Sequence, residues 1–234
     1  MSKNWLHTWA IMNNQGRFIW TNDDGAPSWE FPNANGQVMI IPTGTTPVFR
    51  CVEHFNKILA VTADHICSSE DLSAELPITF TISAQPDVPR NLTWSFDSHV
   101  EITEFTLVIT GVDAKGNVIT DTITEVDGWS GSTAQAYATV TSIVLPERGG
   151  TGAGDTMDIG IGPNLGLAND LDSDTDIYKV VKSTAAGNAT DYTGAGNIGG
   201  DDTFDTVNVS AGAAITAGDS YTIYYKTKIT KLLT

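Results

Sequence analysis

Four residues in the first third of the chain carry metal-binding chemistry: Cys51, His54, His65 and Cys67, spaced as Cys-x2-His and His-x-Cys with ten residues between the pairs. Zinc takes thiolate and imidazole ligands in a tetrahedron, and a hairpin could bring two such pairs together. The His-x-Cys step departs from the spacing usual in zinc fingers, so these residues read as buried thiols and surface histidines. A Cys51–Cys67 disulfide is geometrically open but runs against a reducing compartment. A second run, Asp170, Asp172, Asp174 and Asp176, alternates carboxylates that could hold calcium through hard oxygens. An EF-hand counted from Asp170 would need Gly and Glu where Thr175 and Val181 stand. The run therefore reads as a solvated acidic loop, with a non-helical calcium site as the alternative. No metal and no cofactor is favoured.

Catalytic patterns are sparse. Arg148-Gly149-Gly150-Thr151-Gly152-Ala153-Gly154-Asp155 has the glycines of a phosphate loop but not its Gly-Lys-Ser/Thr ending, and no helical pattern follows it. It reads as a flexible inter-strand loop. There is no Gly-x-Ser-x-Gly elbow, and His7, His54, His65 and His99 fall in no recognised catalytic spacing. No catalytic residue is assigned, and an enzyme is not expected.

The elements around these residues read as strands throughout. Threonine, valine and isoleucine are abundant, and Gly/Asn/Asp clusters punctuate the chain at short intervals. Phe105, Leu107 and Ile109 alternate with Glu104, Thr106 and Thr110, which point the other way, a period of two that sets one face in a core and the other in solvent. Asp113-Ala114-Lys115-Gly116-Asn117 supplies a reversal, and the return strand spans Val118 to Val126. A loop from Asp127 to Ser132 leads to a third strand from Ala136 to Leu145, which Pro146 stops. Met157, Ile159 and Ile161 mark a fourth. Further strands are expected at Ile177 to Lys182, Thr206 to Val209 and Tyr221 to Ile229, with an exposed loop from Ser183 to Asp202. The fold class is all-β: a β-sandwich or jelly-roll-like main domain over residues 61–169, an irregular N-terminal arm over 1–60, and a small C-terminal β subdomain or arm over 170–234.

Composition excludes several roles. With 28 acidic and 12 basic residues the net charge is -16, which repels phosphate backbones, so no nucleic acid is expected as partner. No apolar run approaches the length that spans a bilayer, and no membrane partner is expected. Met1-Ser2-Lys3-Asn4-Trp5 is followed by no apolar targeting segment, so synthesis in a cytoplasm is expected. Trp5, Trp9, Trp20 and Trp29 place four of the six tryptophans in the first 29 residues. Aromatics at that density need a surface, either the sandwich itself or another subunit.

The stretch from Gln85 to Asn169 resembles a recurrent module of tailed-phage structural proteins. The likeness rests on Gln85-Pro86-Asp87-Val88-Pro89-Arg90-Asn91-Leu92-Thr93, Val108-Ile109-Thr110-Gly111-Val112-Asp113-Ala114-Lys115-Gly116-Asn117, Ala136-Tyr137-Ala138-Thr139-Val140-Thr141-Ser142-Ile143 and Gly154-Asp155-Thr156-Met157-Asp158-Ile159-Gly160-Ile161-Gly162. Ile215-Thr216-Ala217-Gly218-Asp219-Ser220-Tyr221-Thr222-Ile223-Tyr224-Tyr225 resembles segments of phage virion proteins too. The resemblance implies a β-sandwich particle component with no catalytic residues. The expectation is a capsid decoration (cement) protein of a bacteriophage on the capsid surface of the virion. Its expected partners are the major capsid protein and itself, as a homotrimer, with the N-terminal tryptophans as interface anchors. The alternatives are a tail-tube or connector subunit, or a fibre module binding receptor or glycan, in which Trp129 would stack on a sugar ring.

Overall fold

A computed structural model describes residues 51–228 except 127, 192–198 and 211–213, with the strand backbone (not the side chains) of 10–11, 17–21, 27–33, 36–43 and 46–50. Lys228 is likewise described by its backbone alone. The described residues are antiparallel β-structure, with one short 3-10 turn at Asp174–Asp176.

Two sheets enclose the first core. In one, the strand order is β10 (Val118–Val126), β9 (Glu104–Val112), β12 (Thr139–Arg148), β7 (Ile78–Thr79). The other runs β11 (Ser130–Tyr137), β8 (Arg90–Ser98), β13 (Thr156–Gly166), β17 (Thr206–Asn208), β16 (Gly199–Asp201), with β6 (Thr62–Asp71) also paired to β13. Period-two alternation aims Leu92 and Trp94, Phe105, Leu107 and Ile109, Ile143 and Leu145, and Met157, Ile159 and Ile161 into the space between the sheets. β6 comes close over β13 because residue 160 is glycine: a Cβ there would stand 1.9 Å from the Thr62 carbonyl oxygen.

The β9–β10 hairpin forms where the sequence places it. Asp113 N–H donates to the Asn117 carbonyl (3.0 Å), the Asp113 carboxylate accepts from the Lys115 and Asn117 amides (2.8 Å each), and Gly116 takes φ +86°. Two expectations need correction. Ser130 to Ser132, expected in the loop, belong to a strand: they pair with Ser95, Trp94 and Thr93, and Gly131 fits because its missing Cβ leaves room for the Trp94 indole. Pro146 does not end its strand. β12 continues to Arg148 because the proline falls within a register shift between Val144 and Glu147, where no ladder amide is needed.

A second core lies beside the first. Its eight-stranded sheet has the order β1 (Ala10–Ile11), β2 (Arg17–Thr21), β3 (Pro27–Asn33), β4 (Gly36–Thr43), β5 (Thr46–Ile58), β18 (Asp219–Lys228), β14 (Ile177–Ser183), β15 (Ala189–Asp191). Cys51, Phe55 and Ile58 of β5 pack with Ile177 and Val180, with Tyr221, Ile223 and Tyr225, and with Leu165 and Val207 at the far end of the first domain's sheet. The N-terminal and C-terminal segments thus share one sheet, joined by the β5–β18 ladder.

Candidate interaction surface

The buried polar groups come first, because they hold the loops between strands. Asp155 is fully buried, and its carboxylate accepts from Ser98 Oγ (3.2 Å) and from the amides of Val100 (2.8 Å), Glu101 (2.9 Å) and Ile102 (3.0 Å). Burial pushes its pKa up, but these donors outweigh burial and hold it below the usual carboxylate value. The glycine-rich segment before it is therefore tied down, not the flexible loop its composition indicates: Gly149 N–H donates to the Glu104 carbonyl (2.8 Å) and Arg148 Nη2 to the Thr151 carbonyl (2.6 Å).

Arg90, also fully buried, donates from Nε to the Gly162 carbonyl (2.8 Å) and from Nη1 to the Leu59 carbonyl (3.0 Å) and to Asp87 (3.1 Å). Lys115, at the tip of the β9–β10 hairpin, reaches Asp170 and Asp205 and so ties the first core to the second. Its pKa is lowered by burial, but the two carboxylates raise it by more, and the ammonium stays charged. Lys182 and Asp219 form a buried pair at 2.7 Å in the second core. None of these groups was singled out in the sequence for such a role; Asp87 and Arg90, three apart on either side of Pro89, were the nearest signal.

The candidate site residues are dispersed. Cys51 sits in the second core and Cys67 in the first, both as buried free thiols. Burial, aided by Glu53 and Glu70 respectively, pushes their pKa from 9.0 up to about 12. His54 Nδ1 is 2.9 Å from Thr222 Oγ1, and His65 Nε2 donates to the Gln85 carbonyl at 3.0 Å. The aspartate run divides as well. Asp170 pairs with Lys115, Asp174 accepts from the Asp202 amide (2.9 Å), and the Asp176 amide donates to the Ser173 carbonyl. Among the described residues, the group of three metal-type ligands within 4.8 Å is Asp174 with Asp201 and Asp202, not the alternating run. Trp129 is half-buried, stacked on His99 (4.2 Å, 5°) and edge-on to Phe96 (5.6 Å), so one face of its indole is covered. Trp5 and Trp9 lie outside the described residues, as do the side chains of Trp20 and Trp29.

What the elements do bring together is the outer face of the β10-β9-β12-β7 sheet. Because Phe105, Leu107 and Ile109 face the core, the alternate residues between them form registered rows across the strands: Val118–Val112–Thr139, Thr120–Thr110–Ser142, Thr122–Val108–Val144–Thr79 and Thr124–Thr106–Glu147. Cross-strand threonine hydroxyls approach at 3.4 Å (Thr106–Thr124) and 3.3 Å (Thr110–Thr120). The first three rows carry no charge on a chain of net charge -16, whereas the fourth ends on Glu147 and Glu104 stands opposite Val126 beyond it. Charge gathers at one end, where Glu104, Glu147 and Arg148 line a cleft of about 400 Å³. A Thr/Val surface of this kind suits contact with another surface.

Fold and surface together define an all-β antiparallel protein of sandwich type whose outer sheet face has central rows of threonine, serine and valine. No protein-family model, curated protein or solved structure matches the chain. Among the described residues no helix is long and apolar enough to cross a membrane.

Proposed function

We propose that this chain is a non-enzymatic virion building block, a capsid decoration protein that lies on the outer surface of a phage shell and stabilises the major capsid protein lattice. The uncharged central rows on the outer face of the β10-β9-β12-β7 sheet carry this reading. On a chain with 28 acidic residues, rows of threonine and valine free of carboxylates mark the surface where contact costs least in desolvation and repulsion. The polar groups that could serve chemistry, Asp155, Arg90, Lys115 and Lys182, are engaged in holding loops and joining cores, which supports a rigid building block.

The mechanism is linkage. A protein that binds the assembled lattice and not its dissociated subunits shifts the equilibrium toward the intact shell, by RT ln(1 + [L]/Kd) per site. The N-terminal tryptophans Trp5 and Trp9 serve in this reading as additional anchors. The sugar-binding reading of Trp129 loses ground, since His99 occupies one face of the ring.

Electron cryo-microscopy of purified particles tests the proposal. Density fitting this two-core β-protein on the outer shell is the expected result. Particles that lack the chain, or density confined to the tail or fibres, would overturn it.

A further inference from the structure

β10 is the edge strand of its sheet, and the geometry of that edge carries a second conclusion. Its pairing with β9 runs through nine consecutive residue pairs without a register shift, whereas the β9–β12, β8–β11 and β8–β13 ladders all contain one. The strand, Val118-Ile119-Thr120-Asp121-Thr122-Ile123-Thr124-Glu125-Val126, has no proline, lysine or bulge; its two charges, Asp121 and Glu125, lie on the face opposite the threonines, and Asp121 accepts from the Tyr137 hydroxyl.

Hydrogen bonds fix which backbone groups face outward. The Val112 and Thr110 carbonyls accept from Ala138 N–H (2.7 Å) and Thr141 Oγ1 (3.0 Å) on the β12 side, while Asp113 N–H donates to Asn117 across the hairpin. Odd-numbered residues of β9 and β10 therefore bond to each other, and the even-numbered residues of β10 direct N–H and C=O away from the sheet. The Thr120 carbonyl confirms this direction, accepting from Gln135 Nε2 at 3.2 Å, and a carbonyl keeps a second lone pair.

We infer that a second copy of this chain adds to this edge, its β10 antiparallel to the first about a two-fold axis through Thr122. That register pairs all nine residues of the strand with one another. On the outer face Thr122 meets Thr122, Thr120 meets Thr124, and Val118 meets Val126. On the opposite face Asp121 meets Ile123 and Ile119 meets Glu125. No carboxylate faces another, which matters on a chain of net charge -16, because like charges directly opposite destabilise a pair. Each pair on the outer face joins residues whose backbone groups point outward, so all of them are hydrogen-bonded pairs. Val118 and Val126, 76% and 64% exposed, gain a partner at each end of the new ladder. The outer-face threonine and valine rows of the two copies join across the axis. The inference stands on the edge itself and holds whether or not that face meets a phage shell. It specifies a dimer, in place of the trimer expected of a decoration protein.

Light scattering coupled to gel filtration on the full chain should give twice the 24.9 kDa chain mass. Thr122→Pro removes an outward amide and leaves the bonds to β9 in place, so it should return the monomer mass with an unchanged circular dichroism spectrum. If that variant fails to fold, cysteine pairing decides. Thr122→Cys, opposite itself across the axis, should oxidise to a covalent dimer, whereas Thr120→Cys, opposite Thr124, should not. Monomer or trimer mass for the unmodified chain, a Thr122→Pro dimer, or equal crosslinking of the two cysteine variants would each overturn the inference.

Discussion

Asp155 shows how one carboxylate can organise a surface segment. Three amides and a hydroxyl converge on it, and charge-assisted bonds of this kind contribute more than neutral ones. Asp155→Ala should therefore lower stability by about 2–4 kcal/mol in urea unfolding, with the segment from Ser98 to Ile102 the first to lose amide exchange protection. The sign of its pH dependence follows from the depressed pKa. The contribution is present above the unfolded carboxylate value of about 3.9 and is lost as pH falls through the lower folded value. Asp155→Asn should flatten the stability profile in that acid window and leave its alkaline side unchanged. The cysteines behave in the opposite sense. With folded pKa values near 12 against an ordinary 9.0, they favour the folded state below pH 9.0 and lose that contribution as pH rises toward 12. In native protein at pH 8, an aromatic disulfide reagent should find neither thiol, and both after denaturation.

At the scale of elements, close approach and cross-core ties set the weak points. Gly160→Val would drive a side chain into the Thr62 carbonyl and force β6 off β13, for a loss of about 3 kcal/mol, read as a drop in melting temperature. Lys115→Ala leaves Asp170 and Asp205 facing each other without a cation. Because the pair is partly exposed, the loss should be about 1–3 kcal/mol, and two unfolding transitions should separate where the unmodified chain shows one. Most strands were legible because period-two alternation is written directly into β9, β10, β12 and β13. The β11 strand was not, since Ser130-Gly131-Ser132 has the composition of a turn and becomes strand through the Trp94 ring that packs over Gly131. Pro146 misled for a related reason: sequence shows the missing amide but not the bulge that makes it unnecessary.

For the whole molecule, the sequence shows an all-β chain but not how its ends meet. The pairing of β5 with β18 spans more than 160 residues, and no local pattern signals so long a closure. The metal-like spacings failed for the same reason: Cys51 and Cys67 are near in sequence, yet a strand boundary sends them into different cores. The outer sheet face, by contrast, was half visible in the threonines of β9 and β10. Its full extent needed the third and fourth strands in register, which bring in Thr139, Ser142, Val144 and Thr79.

That face is also where the account is most exposed to test. Val108→Lys with Thr110→Lys places two charges in the middle of its rows while leaving the core-facing residues untouched, so the melting temperature should hold within a few degrees. Copy number of the double variant in purified particles, measured against the unmodified chain, is the decisive quantity. Near-complete loss of the chain from the shell is predicted; undiminished occupancy would contradict the proposal that this sheet face meets the capsid lattice.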